Sequence, residues 1–192
     1  MKKDARYEQI LKVAAKVFFD RGFDRASIRD IARDSGMSLA GLYYYFRSKE
    51  ELLFLIQEQV FSDLLAGAKD RLDGETDPVK RIELFIGHHM GFFVRNITEM
   101  KVLSHEYERL EGEHHARIAA LRREYYGFAE GHVDAALKAR NRKGVNARIA
   151  SLSLLGMMNW LYTWYRPNRD GTPEDVAAQM ARLYLRGLLD TR

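Results

Sequence analysis

Residues 38–52, SLAGLYYYFRSKEEL, combine hydroxyl-bearing and cationic side chains in one short stretch. Tyrosine hydroxyls and a lysine ammonium can donate hydrogen bonds to phosphate oxygens, and a tyrosine ring can pack on a thymine methyl group. Ser38 can cap a helix whose first N–H groups face a phosphate, and the small Ala40 and Gly41 allow a close backbone approach. A buried strand would explain the aromatic residues but not Lys49 or the helix signals on either side. The stretch therefore favours a nucleic-acid contact.

Side chains suited to catalysis or metal binding form no comparable constellation. Among the six histidines, His115 lies four residues after Glu111, but no third ligand follows at metal-site spacing. The chain has no cysteine, which excludes disulfides, thiolate metal sites and thiolate nucleophiles. It also has no H-E-x-x-H motif, no G-x-S-x-G motif and no phosphate-cradling glycine loop. We therefore expect neither an enzyme nor a protein with a metal ion or other tightly bound cofactor.

Positive charge is concentrated near the N-terminus. The chain of 192 residues has a net charge of +4, and residues 1–50 hold 11 Lys/Arg against 7 Asp/Glu, whereas the rest is balanced. A basic surface suits phosphate binding because it replaces condensed counterions. The basic start lacks the apolar segment of a signal peptide, and no run of about 18 apolar residues occurs. We therefore expect a cytoplasmic protein without a membrane span.

Helical periodicity runs along the chain and predicts an all-α fold of about nine helices. Ser27 and Asp30 resemble a capping box at the start of a short helix, and residues 35–37 form a tight turn before the next one. Two short helices joined in this way form a helix-turn-helix, whose second helix enters the major groove of DNA. Further along, Asp77 before a proline predicts a helix start, and residues 145–165 predict one long apolar helix.

Residues 27–53, SIRDIARDSGMSLAGLYYYFRSKEELL, resemble the DNA-binding domain of TetR-family transcriptional repressors. The family pattern is roughly T-x-x-x-I-A-x-x-A-G-V-S-x-x-x-L-Y-x-Y-F-x-S-K-E-x-L, and the match covers both helices, the turn and the start of the next helix. The resemblance implies a helix-turn-helix domain at residues 1–48 and a helical effector-binding and dimerisation domain at residues 49–192. Carried over position by position, it implies DNA contacts by Ser27, Arg29, Ser38, Leu39, Ala40, Gly41, Tyr43, Tyr44 and Lys49.

Two positions depart from many members of that family. Leu39 stands where relatives carry a basic residue, and Tyr44 stands where they carry histidine. Neither Leu39 nor Gly41 has a side chain that can make a polar contact with a base. We therefore expect base readout to depend more on Arg29, Tyr44, methyl contacts and DNA shape.

The C-terminal part of such proteins dimerises, and its last two helices usually form a four-helix bundle with the partner subunit. A two-fold dimer is also favoured because two recognition helices about 34–36 Å apart can read a palindrome, whereas one reads only a few base pairs. Gly156 and Gly187 would permit close helix approach. The residues expected at this interface are Leu152, Leu155, Gly156, Asn159, Met180, Leu183, Tyr184 and Gly187.

Residues 156–177, GMMNWLYTWYRPNRDGTPEDVA, resemble the acyl-CoA-responsive branch of the family, which controls degradation of fatty acids, phenylacetate or steroids. The resemblance implies an acyl-CoA effector in an apolar slot. Residues that could line it are Phe85, His89, Phe92, Phe93, Met157, Trp160, Leu161 and Trp164. Basic groups that could meet the phosphates of coenzyme A are Arg95, Arg122, Arg123, Arg166 and the connector at residues 138–143.

Other interpretations of the sequence remain open. Aromatic residues at helical spacing are also typical of a filled core, and basic connectors are commonly only solvated. The same DNA-binding residues would suit a multidrug-sensing or aromatic-compound-sensing regulator of the TetR type. An architectural DNA-binding protein without an effector, which is a protein of another class, would differ in having a filled helical domain. An all-α enzyme would differ in turning over a bound thioester.

Overall fold

The computed structural model describes residues 5–189 of the chain, and these residues form helices and connecting turns without a β-strand. The helices are α1 (Ala5–Arg21), α2 (Ile28–Asp34), α3 (Leu39–Tyr45), α4 (Lys49–Leu72), α5 (Pro78–Arg95), α6 (Ile97–His105), α7 (Gly112–Ala139), α8 (Ala147–Asn159), α9 (Leu161–Trp164), α10 (Pro167–Asp170) and α11 (Pro173–Leu189). Nine of them have seven residues or more, and α9 and α10 have four each. The predicted all-α class is confirmed.

The starts of α2 and α3 follow the local signals in the sequence. The Ser27 hydroxyl accepts a hydrogen bond from the Asp30 backbone N–H, and the Asp30 carboxylate accepts one from the Ser27 backbone N–H, which completes the predicted capping box. The turn between the helices contains Gly36 at a φ of 66°, a left-handed conformation that glycine adopts without steric cost. Ser38 then caps α3. The two helices pack on each other as a helix-turn-helix.

The described residues fall into two compact units. The first comprises residues 5–62 and 97–121, and therefore holds α1, α2 and α3 together with α6, which packs on α1. Leu42 and Phe46 are fully buried in its core with Phe18 and Ile31. The predicted boundary between residues 48 and 49 falls where α4 begins, and it stays a prediction.

The second unit comprises residues 63–96 and 122–189. Its most extensive helix pair is α5 against α11, and α8 also packs on α5. The start of α5 is the predicted one, since Asp77 accepts a hydrogen bond from the Val79 N–H and Pro78 occupies the first turn. Ile86, Met90 and Phe93 on α5 have no exposed surface and form part of the unit's core.

The prediction of one long helix at residues 145–165 is wrong. The helix α8 ends at Asn159, and α9 begins after Trp160. At this point a three-residue turn replaces the regular helix, because the Thr163 N–H and the Thr163 hydroxyl both donate to the Trp160 carbonyl, at 3.2 and 2.7 Å. A side-chain hydroxyl that bonds to a nearby backbone group competes with the regular helix ladder.

Within residues 5–189, no helix is both long enough and apolar enough to cross a lipid bilayer.

Candidate nucleic-acid interface and effector region

The short helix α3 presents its predicted DNA-contact residues on its outer surface. Tyr44 is 85% exposed and Tyr43 is 50% exposed, although large aromatic side chains usually avoid water. Leu39 and Ala40 are exposed on the preceding turn of the same helix. The structure therefore brings these four side chains together on one accessible helix.

Ser38 and Gly41 depend on each other at the start of α3. The Ser38 Oγ accepts a hydrogen bond of 3.0 Å from the Gly41 N–H. A Cβ atom at Gly41 would lie 3.2 Å from that Oγ and 3.4 Å from the Met37 Cε. The sequence suggested that Gly41 admits the DNA backbone, and the structure adds a second reason for glycine, which is room for the cap.

The two predicted contacts at α2 differ in their availability. The Ser27 hydroxyl is held by Asp30, at 2.6 Å. Asp30 also pairs with Arg21 and Arg33, and the hydrogen bond from Ser27, followed by the charge of Arg21, lowers the pKa of its carboxyl. Arg29 is exposed and forms no ion pair with any described residue. Arg29 is therefore the cation of α2 that is available to a phosphate or a base edge.

Lys49 has an internal role that the sequence did not reveal. Its ammonium donates hydrogen bonds to the carbonyl oxygens of Phe23, at 2.8 Å, and Ala26, at 3.2 Å, and lies 4.2 Å from the centroid of the Phe23 ring. These contacts join the first residue of α4 to the loop before α2. They occupy two of the three ammonium hydrogens. The phosphate contact predicted for Lys49 stays a prediction.

Glu106, which sequence reasoning missed, joins that same loop to the end of α6. Its Oε1 accepts a hydrogen bond of 3.1 Å from the Phe23 N–H, and Arg109 pairs with Asp24 at 2.8 Å. No local pattern could have indicated these contacts, because the partners lie more than eighty residues apart in sequence. The loop that leads into the helix-turn-helix is thus tied to α6.

In the second unit, the residues predicted to line an effector slot separate into two groups. Phe85, His89, Phe93 and Leu161 are buried, and Phe92 is half-buried. Met157 and Trp160 are exposed on α8 and the turn after it, and Trp164 is half-buried. The effector role of both groups stays a prediction.

The buried group is organised by a polar contact with Tyr125 of α7. The Tyr125 hydroxyl lies 2.7 Å from the His89 Nδ1, and the Phe85 ring packs against both side chains. The His89 Nε2 is buried and has no hydrogen-bond partner in residues 5–189. Sequence reasoning missed Tyr125, since a tyrosine in the apolar stripe of α7 indicates only a core position.

Burial sets the protonation state of this pair. It lowers the pKa of His89 from 6.5 to about 3, with a smaller contribution from the charge of His88. Asn159 acts in the opposite direction, although its amide makes no regular hydrogen bond to the His89 Nε2. Burial also raises the pKa of the Tyr125 hydroxyl. Both side chains are therefore neutral at physiological pH, as an apolar environment requires.

The exposed group lies beside the residues predicted for the dimer interface. Met157, Trp160 and Trp164 line a shallow groove of about 670 Å³ together with Met180 and Leu183. This apolar groove on α8 and α11 is open to solvent. Contiguous exposed apolar surface of this kind is typical of protein–protein contacts.

The remaining predicted interface residues lie on the same two helices. Leu183 is 74% exposed and Leu152 is 38% exposed, whereas Leu155 is buried within the unit. Gly156 and Gly187 are exposed, and Asn159 and Tyr184 are half-buried. The Tyr184 hydroxyl is buried without a hydrogen-bond partner in the described part of the chain.

The predicted phosphate-binding cations are distributed over several places. Arg95 lines a groove of about 580 Å³ between α5 and α11. The Arg122 guanidinium lies over the Tyr126 ring, Arg123 is exposed on α7, and Arg166 donates to the Tyr165 carbonyl. In the basic connector, Arg142 donates to the Leu188 carbonyl. Within residues 5–189, no three His, Asp or Glu side chains lie close enough to hold a metal ion.

Comparison with known proteins identifies both parts of the chain. Residues 10–56 match the family model described as bacterial regulatory proteins of the tetR family. Residues 75–188 match the model described as the tetracyclin repressor-like C-terminal domain.

Similar proteins extend over nearly the whole chain. The transcriptional repressor NicS of Pseudomonas putida is 31% identical over 93% of this chain and 84% of its own length. KstR2 of Rhodococcus jostii, also a transcriptional repressor, is 24% identical over 97% of this chain and 92% of its own. The crystal structure of AibR in complex with isovaleryl coenzyme A and operator DNA has a TM-score of 0.85, with 31% identity over 93% of this chain and 97% of AibR.

These relatives are named as regulators rather than enzymes, which confirms that part of the prediction. With both family models matched, the chain belongs to the TetR family of DNA-binding transcriptional repressors.

Proposed function

We propose that this protein is a cytoplasmic homodimer that represses transcription from a palindromic operator and is released by a fatty or aromatic acyl-CoA. The observation that carries the operator part is the exposed surface of α3. Tyr43 and Tyr44 stand in water on a helix whose other face is anchored by the buried Leu42. Two exposed tyrosines side by side on one short helix suit a contact surface, and DNA supplies phosphates and thymine methyl groups for them.

The dimer is supported by the apolar groove on α8 and α11. Leu183 and Trp160 are both more than half exposed there, and Ile149 is 64% exposed on α8. A second copy of the chain would cover these side chains by a two-fold contact between the same helices.

The effector part is supported by the likeness to AibR, a protein crystallised with isovaleryl coenzyme A. The buried aromatic group of the second unit offers an apolar environment for an acyl chain. If the Tyr125 hydroxyl donates to the His89 Nδ1, the His89 Nε2 carries a proton that no described residue accepts. A thioester carbonyl of the effector would accept that proton and so satisfy a buried donor.

Release from DNA requires that the effector prefers the conformation that does not bind the operator. The hydrogen bond from the Phe23 N–H to Glu106 connects the C-terminal end of α6 directly to the loop before α2. Because α6 follows α5 with one intervening residue, a displacement of α5 on effector binding would be transmitted along the chain to that loop.

The test is fluorescence anisotropy of a labelled duplex taken from upstream of the protein's own gene. Protein is titrated in at two salt concentrations, and saturated, unsaturated and aromatic acyl-CoAs are then added. Salt-sensitive binding that is reversed by one acyl-CoA class is the expected result. Release by cationic dyes instead would favour a multidrug sensor, and binding that no small molecule reverses would favour an architectural protein.

Two variants separate the effector slot from the dimer interface. Phe93→Ala changes the buried aromatic group, and it is expected to weaken the response to the effector while the dimer persists. Trp160→Ala changes the exposed groove, so the structure leads us to expect a weaker dimer instead. Sedimentation and anisotropy on the same samples distinguish the two effects.

A further inference from the structure

The groove between α5 and α11 has an unusual set of walls. Four basic residues border it, Arg71 from α4, Lys80 and Arg95 from α5, and Arg182 from α11. We call it the basic groove. Its acidic residues are Glu83, which pairs with Lys80 at 2.8 Å, and Glu174. Its volume of about 580 Å³ is that of a site for a small organic ligand, larger than a single ion needs.

The three arginines of the basic groove have no internal partner. Arg71, Arg95 and Arg182 form neither an ion pair nor a hydrogen bond with any residue from 5 to 189. Elsewhere in this chain arginines are commonly paired, as Arg33 is with Asp30 and Asp34. Three guanidinium groups against the single unpaired carboxylate of Glu174 leave the groove with an excess of two positive charges. No ion pair with a described residue compensates this excess.

The floor of the basic groove is made of small residues, which keep the space open. Gly87 and Gly91 lie on α5, opposite Ala177, Ala178 and Ala181 of α11. A Cβ atom at Gly91 would lie 3.0 Å from the Arg95 Nη1, so the guanidinium is directed back over the glycine. A Cβ atom at Gly87 would meet nothing within 4 Å, so the space above it is empty. A flat floor beside free guanidinium groups suits a planar ring that carries phosphates.

The wall residue His88 adds no competing positive charge. Burial, with the nearby charges of Arg95 and Arg71, lowers its pKa, and its Nε2 lies 3.0 Å from the Leu64 carbonyl oxygen. The next residue, His89, is the buried partner of Tyr125. Adjacent residues of α5, His88 and His89, therefore border the basic groove and the buried aromatic group, respectively.

From these observations we propose that the basic groove binds the phosphate groups of coenzyme A. The inference rests on the proposed acyl-CoA effector and adds the residues that would recognise its nucleotide end. Arg95 and Arg182, from opposite walls, hold the phosphates by charge-assisted hydrogen bonds, and the adenine ring lies on the glycine and alanine floor. Among the cations that the sequence suggested, this arrangement selects Arg95 and adds Arg71 and Arg182.

The experiment measures binding of free coenzyme A to the protein by calorimetry. Arg95→Ala and Arg182→Ala are each expected to weaken binding about tenfold or more, and the wild-type affinity is expected to fall as salt is added. Arg148→Ala removes the same charge from an exposed position of α8 outside the groove and should bind as the wild type does. Glu174→Gln removes the opposing charge and should tighten binding.

A steric variant tests the groove without changing its charge. Gly87→Leu fills the empty space on α5, and leucine favours a helix more than glycine does, so the variant is expected to fold and to lose affinity for coenzyme A. Gly127→Leu on α7, where a side chain also meets nothing, is the matched control. Wild-type affinity in Arg95→Ala, Arg182→Ala and Gly87→Leu would overturn the proposal, as would loss confined to Arg148→Ala.

Competing ligands identify the source of the phosphate chemistry. Displacement of coenzyme A by ATP at similar concentration would support the phosphate site and assign it to nucleotides in general. A lower affinity of Arg182→Ala for duplex DNA, with unchanged affinity for coenzyme A, would contradict the proposal. If acyl-CoA releases every groove variant from the operator, the proposed function stands and the groove is rejected as the coenzyme A site. If coenzyme A binding depends on the groove but acyl-CoA does not release the operator, the groove stands and the proposed function is rejected.

Discussion

The buried imidazole of His89 predicts a specific dependence of stability on pH. The exchange to test it is His89→Gln, because glutamine cannot take up a proton but retains an amide that can bond to the Tyr125 hydroxyl. In the folded wild type, burial holds the pKa of His89 near 3, whereas in the unfolded chain it is 6.5. Folding therefore excludes a proton that the unfolded chain binds in mildly acidic solution.

The sign and size of the effect follow from proton linkage. Because the folded pKa is the lower one, the contribution of His89 to stability is intact above about pH 6.5 and is lost as the pH falls toward 3. Between about pH 7.5 and pH 5, the free energy of unfolding should fall by about 2 kcal/mol through this residue alone. His88 and His132, whose pKa values burial also lowers, act in the same direction in both proteins and cancel from the comparison.

The assay is urea denaturation of the wild type and His89→Gln at these two pH values, with each protein's own stability at the higher pH as its reference. Equal losses in the wild type and in His89→Gln would refute the argument that His89 is buried in its neutral form.

Three further perturbations test the other surfaces. Leu183→Glu places a charge in the apolar groove and is expected to give monomers in sedimentation, whereas Ile97→Glu, also at an exposed apolar residue, should leave a dimer. Tyr44→Ala should weaken operator binding about tenfold in anisotropy without changing the circular dichroism, and unchanged affinity would remove Tyr44 from the interface. Lys49→Met keeps an unbranched side chain beside Phe23 but leaves two carbonyl oxygens without their donor. The free energy of unfolding should therefore fall by about 1–3 kcal/mol, and an unaltered urea midpoint would argue against these hydrogen bonds.

Local signals were sufficient for much of the fold. The capping box at Ser27, the cap at Ser38 and the start after Asp77 involve atoms a few residues apart, so the sequence itself contains both partners. These features were predicted correctly because short-range geometry determines them.

One local contact was missed, because nothing in the apolar run at residues 145–165 shows that the Thr163 hydroxyl bonds to the Trp160 carbonyl. Contacts between distant residues were not accessible from the sequence. Tyr125 meets His89 across 36 positions. A periodic pattern indicates that both side chains point inward, but which residues meet depends on how the helices pack. The three arginines of the basic groove likewise come from three helices and share no sequence motif.

The position of Trp160 and Trp164 gives the protein an intrinsic optical reporter. They are the only two tryptophans of the chain, and both lie in the apolar groove on α8 and α11. Their emission therefore depends on whether water or another surface covers that groove. On dilution of the unlabelled protein, a shift of the emission maximum to longer wavelength would follow the uncovering of this face directly.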